Sequence, residues 1–233
     1  MTSEYLFSPS PQAALAIVGG QTLFPVARIF CVGRNYVEHA KEMGNEVDRE
    51  APFYFLKPTI GMARSGDTVP YAPGTKDLHH EMELVLAIGS RAFRISADKA
   101  SSVIYGYACG LDMTRRDLQQ EGKDKRRPWD FGKAFENGAV VGPITPASSV
   151  PTLEGRRIML KVNGEIRQDA RLDGLVWKVD ELISHLSRYY HLMPGDLIFT
   201  GTPAGVGPVV AGDVLEGSID GLEPVRLTIG PAE

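Results

Sequence analysis

Apolar positions in this chain recur mostly in short runs, and the two-residue period of a strand is far commoner than the 3.6-residue period of a helix. Arg28-Ile-Phe-Cys-Val-Gly33, Phe53-Tyr-Phe-Leu56, Leu84-Val-Leu-Ala-Ile-Gly89, Val103 to Leu111 and Leu197-Ile-Phe-Thr200 are rich in β-branched and aromatic residues and bounded by Gly, Pro or charge. Each predicts a buried strand. Asn163-Gly164, inside the alternating stretch Ile158 to Ile166, predicts a hairpin, because both residues tolerate the positive φ that a type I′ turn requires. Helical spacing is confined to Val37–Met43 and Val179–Tyr190. In the second, Leu182, Ile183, Leu186 and Tyr190 form the stripe, Asp180 is placed to cap it and Pro194-Gly195 to end it. Residues 1–26 read as a preamble of short strands and turns, followed by one domain over 27–233 with no repeats. The charged segment Arg115 to Trp129, centred on Lys123-Asp-Lys-Arg-Arg127, reads as a solvated loop or helix face, with a mobile lid over an anionic substrate as the sharper alternative.

Composition narrows the class. A chain of 233 residues with 43% hydrophobic and 23% charged residues can bury one large core, and 25 Gly with 16 Pro supply many turns, so the expected class is a β-rich α+β fold with few short helices. A net charge of −4 argues against nucleic acid or an anionic membrane surface as the main partner. Cys31 and Cys109, both in apolar surroundings, make no disulfide framework, and the apolar run Ala13 to Gly19 is too short to span a bilayer and lacks signal-peptide flanks. The expectation is a cytoplasmic protein.

The chemistry gathers around His79-His-Glu-Met-Glu83. Glu81 and Glu83, one residue apart at the mouth of a strand, share a face and must be compensated by a cation, a metal ion or a proton. The plainer alternative is an edge-strand charge cluster paired to Lys76 or Arg91. Asp112, at the exit of another buried run, could complete a trio for a hard divalent ion, which would keep open positions for a chelating α-keto acid. His79 and His80 face opposite ways, so at most one can look into such a site. His39 and Glu42, three residues apart on a helix, form either a base with its orienting carboxylate or an exposed pair. Lys133 could offset the acids or donate to an oxyanion. The loop Gly201 to Gly207 has neither P-loop nor dinucleotide spacing; its backbone N–H groups and the Thr202 hydroxyl could line a carboxylate pocket.

Taken in register, Cys31-Val-Gly-Arg-Asn-Tyr-Val-Glu-His-Ala-Lys-Glu42, His79-His-Glu-Met-Glu83, Gly110-Leu-Asp-Met-Thr-Arg-Arg-Asp117, Lys133-Ala-Phe135, Lys161-Val-Asn-Gly-Glu165 and Thr200-Gly-Thr-Pro-Ala-Gly-Val-Gly207 resemble the fumarylacetoacetate hydrolase family. The chain is most similar to its short acylpyruvate hydrolases, fumarylpyruvate-cleaving ones especially, and the likeness runs from about residue 27 to the C-terminus. The resemblance implies a mixed β-roll or sandwich around the site, a homodimer, and Mg²⁺ or Mn²⁺ on Glu81, Glu83 and Asp112. It implies water activation by His39 and Glu42, Lys133 beside the metal, and substrate contacts from Arg116, Gln119 and Thr202. A far carboxylate on the substrate would need a cation, which Arg34 or the 123–127 run could supply. The implied activity is metal-dependent hydrolysis of a carbon–carbon bond in a 2,4-dioxo acid in aromatic-compound catabolism. The rivals are oxaloacetate decarboxylation or keto-acid tautomerisation on the same metal, and a non-catalytic keto-acid binder.

Overall fold

The computed structural model describes residues 5–42 and 51–233. Its centre is a mixed sheet in which Phe53–Lys57, Arg28–Gly33, Asp196–Phe199, Met82–Ile88, Ile104–Asp112, Ala139–Val141 and Ala63–Arg64 lie side by side in that order. Every residue of Met82–Ile88 is buried, as befits a central strand covered on both faces. Alternation sorts its side chains. Met82, Leu84, Leu86 and Ile88 enter the larger core, against a five-stranded sheet made by Glu165–Arg171, Arg157–Val162, Val214–Ile219, Val225–Ala232 and Thr68–Tyr71. Val85 and Ala87 enter a second core with Cys31, Ala108 and Phe199, closed by the hairpin Ala14–Ala16/Leu23–Pro25 through Leu15 and Phe24. Residues 13–26 of the N-terminal preamble are thus packed down on the second face of the central sheet.

Strand direction brings the chemistry to one end of this sheet. Arg28–Gly33 and Asp196–Phe199 run parallel, so both exit at the same edge, where Asn35 Nδ2 donates to the Thr200 carbonyl at 2.8 Å. Met82–Ile88 enters there, and its antiparallel neighbour Ile104–Asp112 leaves there, with Glu83 opposite Gly110. Gly110 has no room for a side chain: an added Cβ would stand 2.5 Å from Val85 Cγ2. The two-residue period therefore carries Glu81, Glu83 and Asp112 onto the face of the second core, beyond its last apolar layer.

The Asn163-Gly164 turn joins Arg157–Val162 to Glu165–Arg171 with φ of 52° and 82°, as the hairpin expectation requires. The C-terminal helix is shorter than its periodicity predicts, Val179–Leu186, and its cap is Lys178, whose backbone N–H donates to Glu181 Oε2 at 2.8 Å. Asp180 lies inside the first turn, where its charge still favours the helix dipole. Tyr190 falls beyond the helix and packs edge-on against Phe30. The first helix spans Val37–Glu42; Met43, its expected last residue, lies outside the described residues. The charged stretch after Asp112 is largely ordered helix, Arg116–Asp124, which turns Arg116, Gln119 and Lys123 to one side.

Candidate active site

Glu81, Glu83 and Asp112 are buried, and one carboxylate oxygen from each lies within 4.8 Å of those of the other two. This is no edge-strand cluster, and neither Lys76 nor Arg91 takes part. Compensation comes from inside. Lys133 Nζ donates to Glu81 Oε2 at 2.8 Å, Asp112 Oδ2 at 2.7 Å and Thr114 Oγ1 at 2.6 Å, which uses all three of its protons. Arg116 Nη2 donates to Glu81 Oε1 at 2.5 Å. The third cation is Lys57, fully buried, with Nζ 2.9 Å from Asp112 Oδ1 and bonded to the carbonyls of Met113 and Lys133.

Sequence reasoning missed Lys57, which stands just past the run Phe53-Tyr-Phe-Leu56 as one of the charges that bound the strands. Its signal was alternation: Phe53, Phe55 and Lys57 share a face, and Phe55 opposite Cys31 puts that face on the acids' side of the sheet.

Three carboxylates and three cations cancel, yet they do not share evenly. Burial pushes the Glu81 carboxyl up, but Lys133 and Arg116 together outweigh it and hold Glu81 well below the ordinary carboxylate range. Among the described residues Glu83 is bonded only by the Gly201 N–H, 2.6 Å from its Oε2; burial first, then the charges of Asp112 and Glu81, push its carboxyl well above that range. Asp112 Oδ1, although beside the Lys57 ammonium, is buried with no aligned hydrogen bond. Buried carboxylate oxygens ordinarily find a donor. One under-bonded oxygen, one carboxylate that favours its proton and an all-oxygen donor set make a place that fits a hard divalent cation.

The Gly201 backbone, at φ 101°, is held in a conformation that suits glycine, and a Cβ there would meet Asn35 Cβ at 2.6 Å. Glycine at this point lets the chain turn its N–H onto Glu83. Two further groups of the 201–207 loop bond within the protein. Gly205 N–H donates to Glu42 Oε1 at 3.1 Å, and the Thr202 hydroxyl accepts from Gln168 Nε2 at 2.8 Å.

His39 is buried, so its pairing with Glu42 is not an exposed helix-face contact. Its Nδ1 lies 3.1 Å from Glu42 Oε2, which leaves Nε2 to face other partners. Gly205, Glu42 and His39 thus form a chain in which backbone fixes carboxylate and carboxylate fixes imidazole. The adjacent histidines diverge as alternation requires. His79 sits between Asp77, 2.8 Å from its Nε2, and Arg116 Nε, 3.4 Å from its Nδ1. His80 turns to the Gln168 side chain, and burial lowers its pKa to about 4. Neither belongs to the acidic trio.

Gln119 is buried with its Oε1 held by Arg116 Nη1 at 2.7 Å, so its amide N–H₂ remains a donor toward the cavity it lines. That cavity, about 30 Å³, is lined by the three acids together with Arg34, His39, Arg116, Gln119, Lys123, Lys133 and Thr202. It has room for a solvent molecule or two. A larger aromatic cleft of about 410 Å³ adjoins it, sharing Phe55, Trp129 and Lys133. The chemistry belongs to the smaller space; the cleft supplies an apolar wall.

The family profile described as fumarylacetoacetate (FAA) hydrolase C-terminal matches residues 28–230. A fumarylpyruvate hydrolase of Ralstonia sp. is 54% identical over 193 residues, 82% of this chain and all of that protein. The mitochondrial oxaloacetate tautomerase of Mus musculus is 40% identical over 205 residues, 88% of this chain and 92% of that protein. Among solved structures, the fumarylpyruvate hydrolase of Pseudomonas aeruginosa in complex with Mn²⁺ and pyruvate superimposes with a TM-score of 0.94 at 45% identity, covering 98% of this chain and 100% of that one. With the resemblance read from six separate motifs now matched along nearly its whole length, the chain belongs to the fumarylacetoacetate hydrolase family.

Proposed function

We propose that this protein is a metal-dependent hydrolase that splits a carbon–carbon bond of a 2,4-dioxo acid, fumarylpyruvate foremost, giving pyruvate and a carboxylic acid. The observation that carries this reading is the buried trio Glu81, Glu83 and Asp112 with the His39–Glu42 pair lining the same cavity. The 54% identity to a fumarylpyruvate hydrolase supports the choice of substrate. Mn²⁺ or Mg²⁺ held by the three acids would supply a Lewis acid for the α-keto acid end and an electron sink for the bond that breaks.

The protein's own groups do the rest. His39 Nε2, with Nδ1 fixed by Glu42, takes a proton from water. The oxygen bonds to the distal carbonyl carbon; Gln119, oriented by Arg116, donates its amide to the oxyanion. Collapse breaks the bond between that carbon and the methylene, whose electron pair passes to the pyruvyl end. The proton held on His39 then returns to the methylene carbon, so one water is consumed and pyruvate leaves with a methyl group. Lys133 has its three protons committed to Glu81, Asp112 and Thr114; its part is to hold two acids in place beside the reaction, and donation to an oxyanion would require it to release one of them. Arg34, Arg116 and Thr202 face the substrate.

Comparing initial rates on fumarylpyruvate, acetylpyruvate and oxaloacetate, with and without chelator, tests the reading. Metal-dependent pyruvate release from the dioxo acids, with slower decarboxylation or tautomerisation of oxaloacetate, is the expected pattern. Preference for oxaloacetate would favour the activity borne by the 40%-identical tautomerase.

A second expectation concerns protons. Because Glu83 favours its protonated form in the metal-free site, Mn²⁺ must displace that proton. Mn²⁺ affinity should therefore rise with pH, about tenfold per unit, up to the native titration point of Glu83, and calorimetry in buffers of different ionisation enthalpy should find about one proton released. Binding with no proton release and no pH dependence would contradict the protonation assigned to Glu83.

The homodimer implied by the resemblance and the cytoplasmic setting expected from the cysteines and the N-terminal run belong to this proposal. Cys31 and Cys109 are buried free thiols, as a reducing compartment allows, and among the described residues no helix is long and apolar enough to cross a membrane.

A further inference from the structure

Five cations stand around the cavity or directly behind it, and three are spent. Lys57 lies against Asp112, Lys133 against Glu81 and Asp112, and Arg116 against Glu81. Arg34 and Lys123 line the same cavity and make no ion pair with any described residue. Arg34 follows the strand Arg28–Gly33 at φ 57°, a left-handed conformation uncommon for a long side chain. It also lines a pocket of about 230 Å³ with Phe53, Trp129 and Trp177. Lys123 is half-buried with its ammonium over the Trp129 ring, 5.2 Å from the centroid. It shares a helix face with Arg116 and Gln119, at intervals of three and four residues.

The remainder of the basic run looks elsewhere: Lys125 Nζ bonds Glu121 Oε1 at 2.5 Å on the exposed surface, and Arg127 borders the aromatic cleft.

We propose that Arg34 and Lys123 clamp a carboxylate at the far end of the substrate, so that the site selects dioxo acids with two terminal carboxylates over acylpyruvates that end in a neutral group. This rests on the hydrolase reading above and names the substrate class. With the acids already matched by Lys57, Lys133 and Arg116, a bound divalent ion leaves positive charge for the α-keto acid end, and the two unspent cations leave more for the far end. Burial, then Arg116 and Arg34, lower the Lys123 pKa to about 8, the condition of an ammonium crowded by like charges and short of an anion. The side chains of Trp129 and Phe55, which line the same cavity, offer a flat apolar wall to an unsaturated chain.

The test is a selectivity ratio, kcat/KM on fumarylpyruvate over kcat/KM on acetylpyruvate. It should fall about 10- to 100-fold in Lys123→Met and in Arg34→Gln, the loss of a charge-assisted hydrogen bond to a carboxylate. Lys123→Arg should keep most of it, and Lys125→Met all of it. A second arm needs no turnover: on the Mn²⁺-loaded protein, calorimetric affinity for 2-oxopimelate relative to 2-oxoheptanoate, both lacking the distal carbonyl at C4, should fall by a similar factor in the same two variants. If wild type cleaves neither dioxo acid yet prefers 2-oxopimelate, and the variants lose that preference, the hydrolase reading fails while the clamp stands. Ratios unchanged in both variants in both arms would overturn the clamp.

Discussion

His39→Ala is expected to lower kcat on fumarylpyruvate by about 10²- to 10⁴-fold, the range for removing a positioned general base, while Mn²⁺ still binds. The separation of effects follows from geometry. His39 Nδ1 is bonded to Glu42, and the ring acts on Glu81 only through its charge, behind Lys133 and Arg116, so losing it leaves the bonds that hold the acids in place. Glu42→Gln should show a smaller loss in the same direction, since the Gly205 N–H and the imidazole would keep a partner in the amide but lose the carboxylate that orients the ring. Pyruvate release by rapid assay, with Mn²⁺ binding followed in parallel, reads both quantities. A His39→Ala protein that cleaves fumarylpyruvate at the wild-type rate removes the imidazole from the mechanism.

Glu83→Gln is the second large effect: turnover should fall by more than about 10³-fold because both the Lewis acid and its electron sink depend on this ligand. Its stability should move the opposite way. In chelator-treated protein burial and the two neighbouring acids favour the neutral form of Glu83, and Gln is likewise neutral and keeps an acceptor for the Gly201 N–H. Metal-free Glu83→Gln should therefore unfold at the same temperature as metal-free wild type or higher. Mn²⁺ at a hundred times its Kd should stabilise wild type by about 2.7 kcal/mol and the variant by little. Equal stabilisation of both by Mn²⁺, read by calorimetric melting, would place the ion somewhere else.

Much of this site could be read before any coordinates. Glu81 and Glu83 sit at the mouth of one strand, and two-residue alternation is strict in a fully buried strand, so their shared face followed from sequence alone; Asp112 joins them through the register that sets Glu83 opposite Gly110. The Asn163-Gly164 hairpin was equally legible, because its backbone demand is local. What failed depends on partners distant in sequence. Lys57 meets Asp112 only because Phe53–Lys57 is hydrogen-bonded to Arg28–Gly33 in one register, which periodicity cannot supply. The segment read as a solvated loop or helix face is a helix over Arg116–Asp124; what its charge hid is that Arg116 and Gln119 turn inward onto other polar groups, with no apolar stripe to announce it. The C-terminal helix was over-extended because Tyr190 continues the apolar spacing from a position beyond the helix, where it packs on Phe30.

The central claim, that Glu81, Glu83 and Asp112 jointly hold the ion on which cleavage depends, meets its most direct test in a Mn²⁺ titration of chelator-stripped protein with bound metal and fumarylpyruvate turnover measured on the same samples. One Mn²⁺ per chain, with turnover rising from near zero in proportion to occupancy, is the predicted result. Full turnover by the stripped protein, or activity indifferent to occupancy, would contradict it.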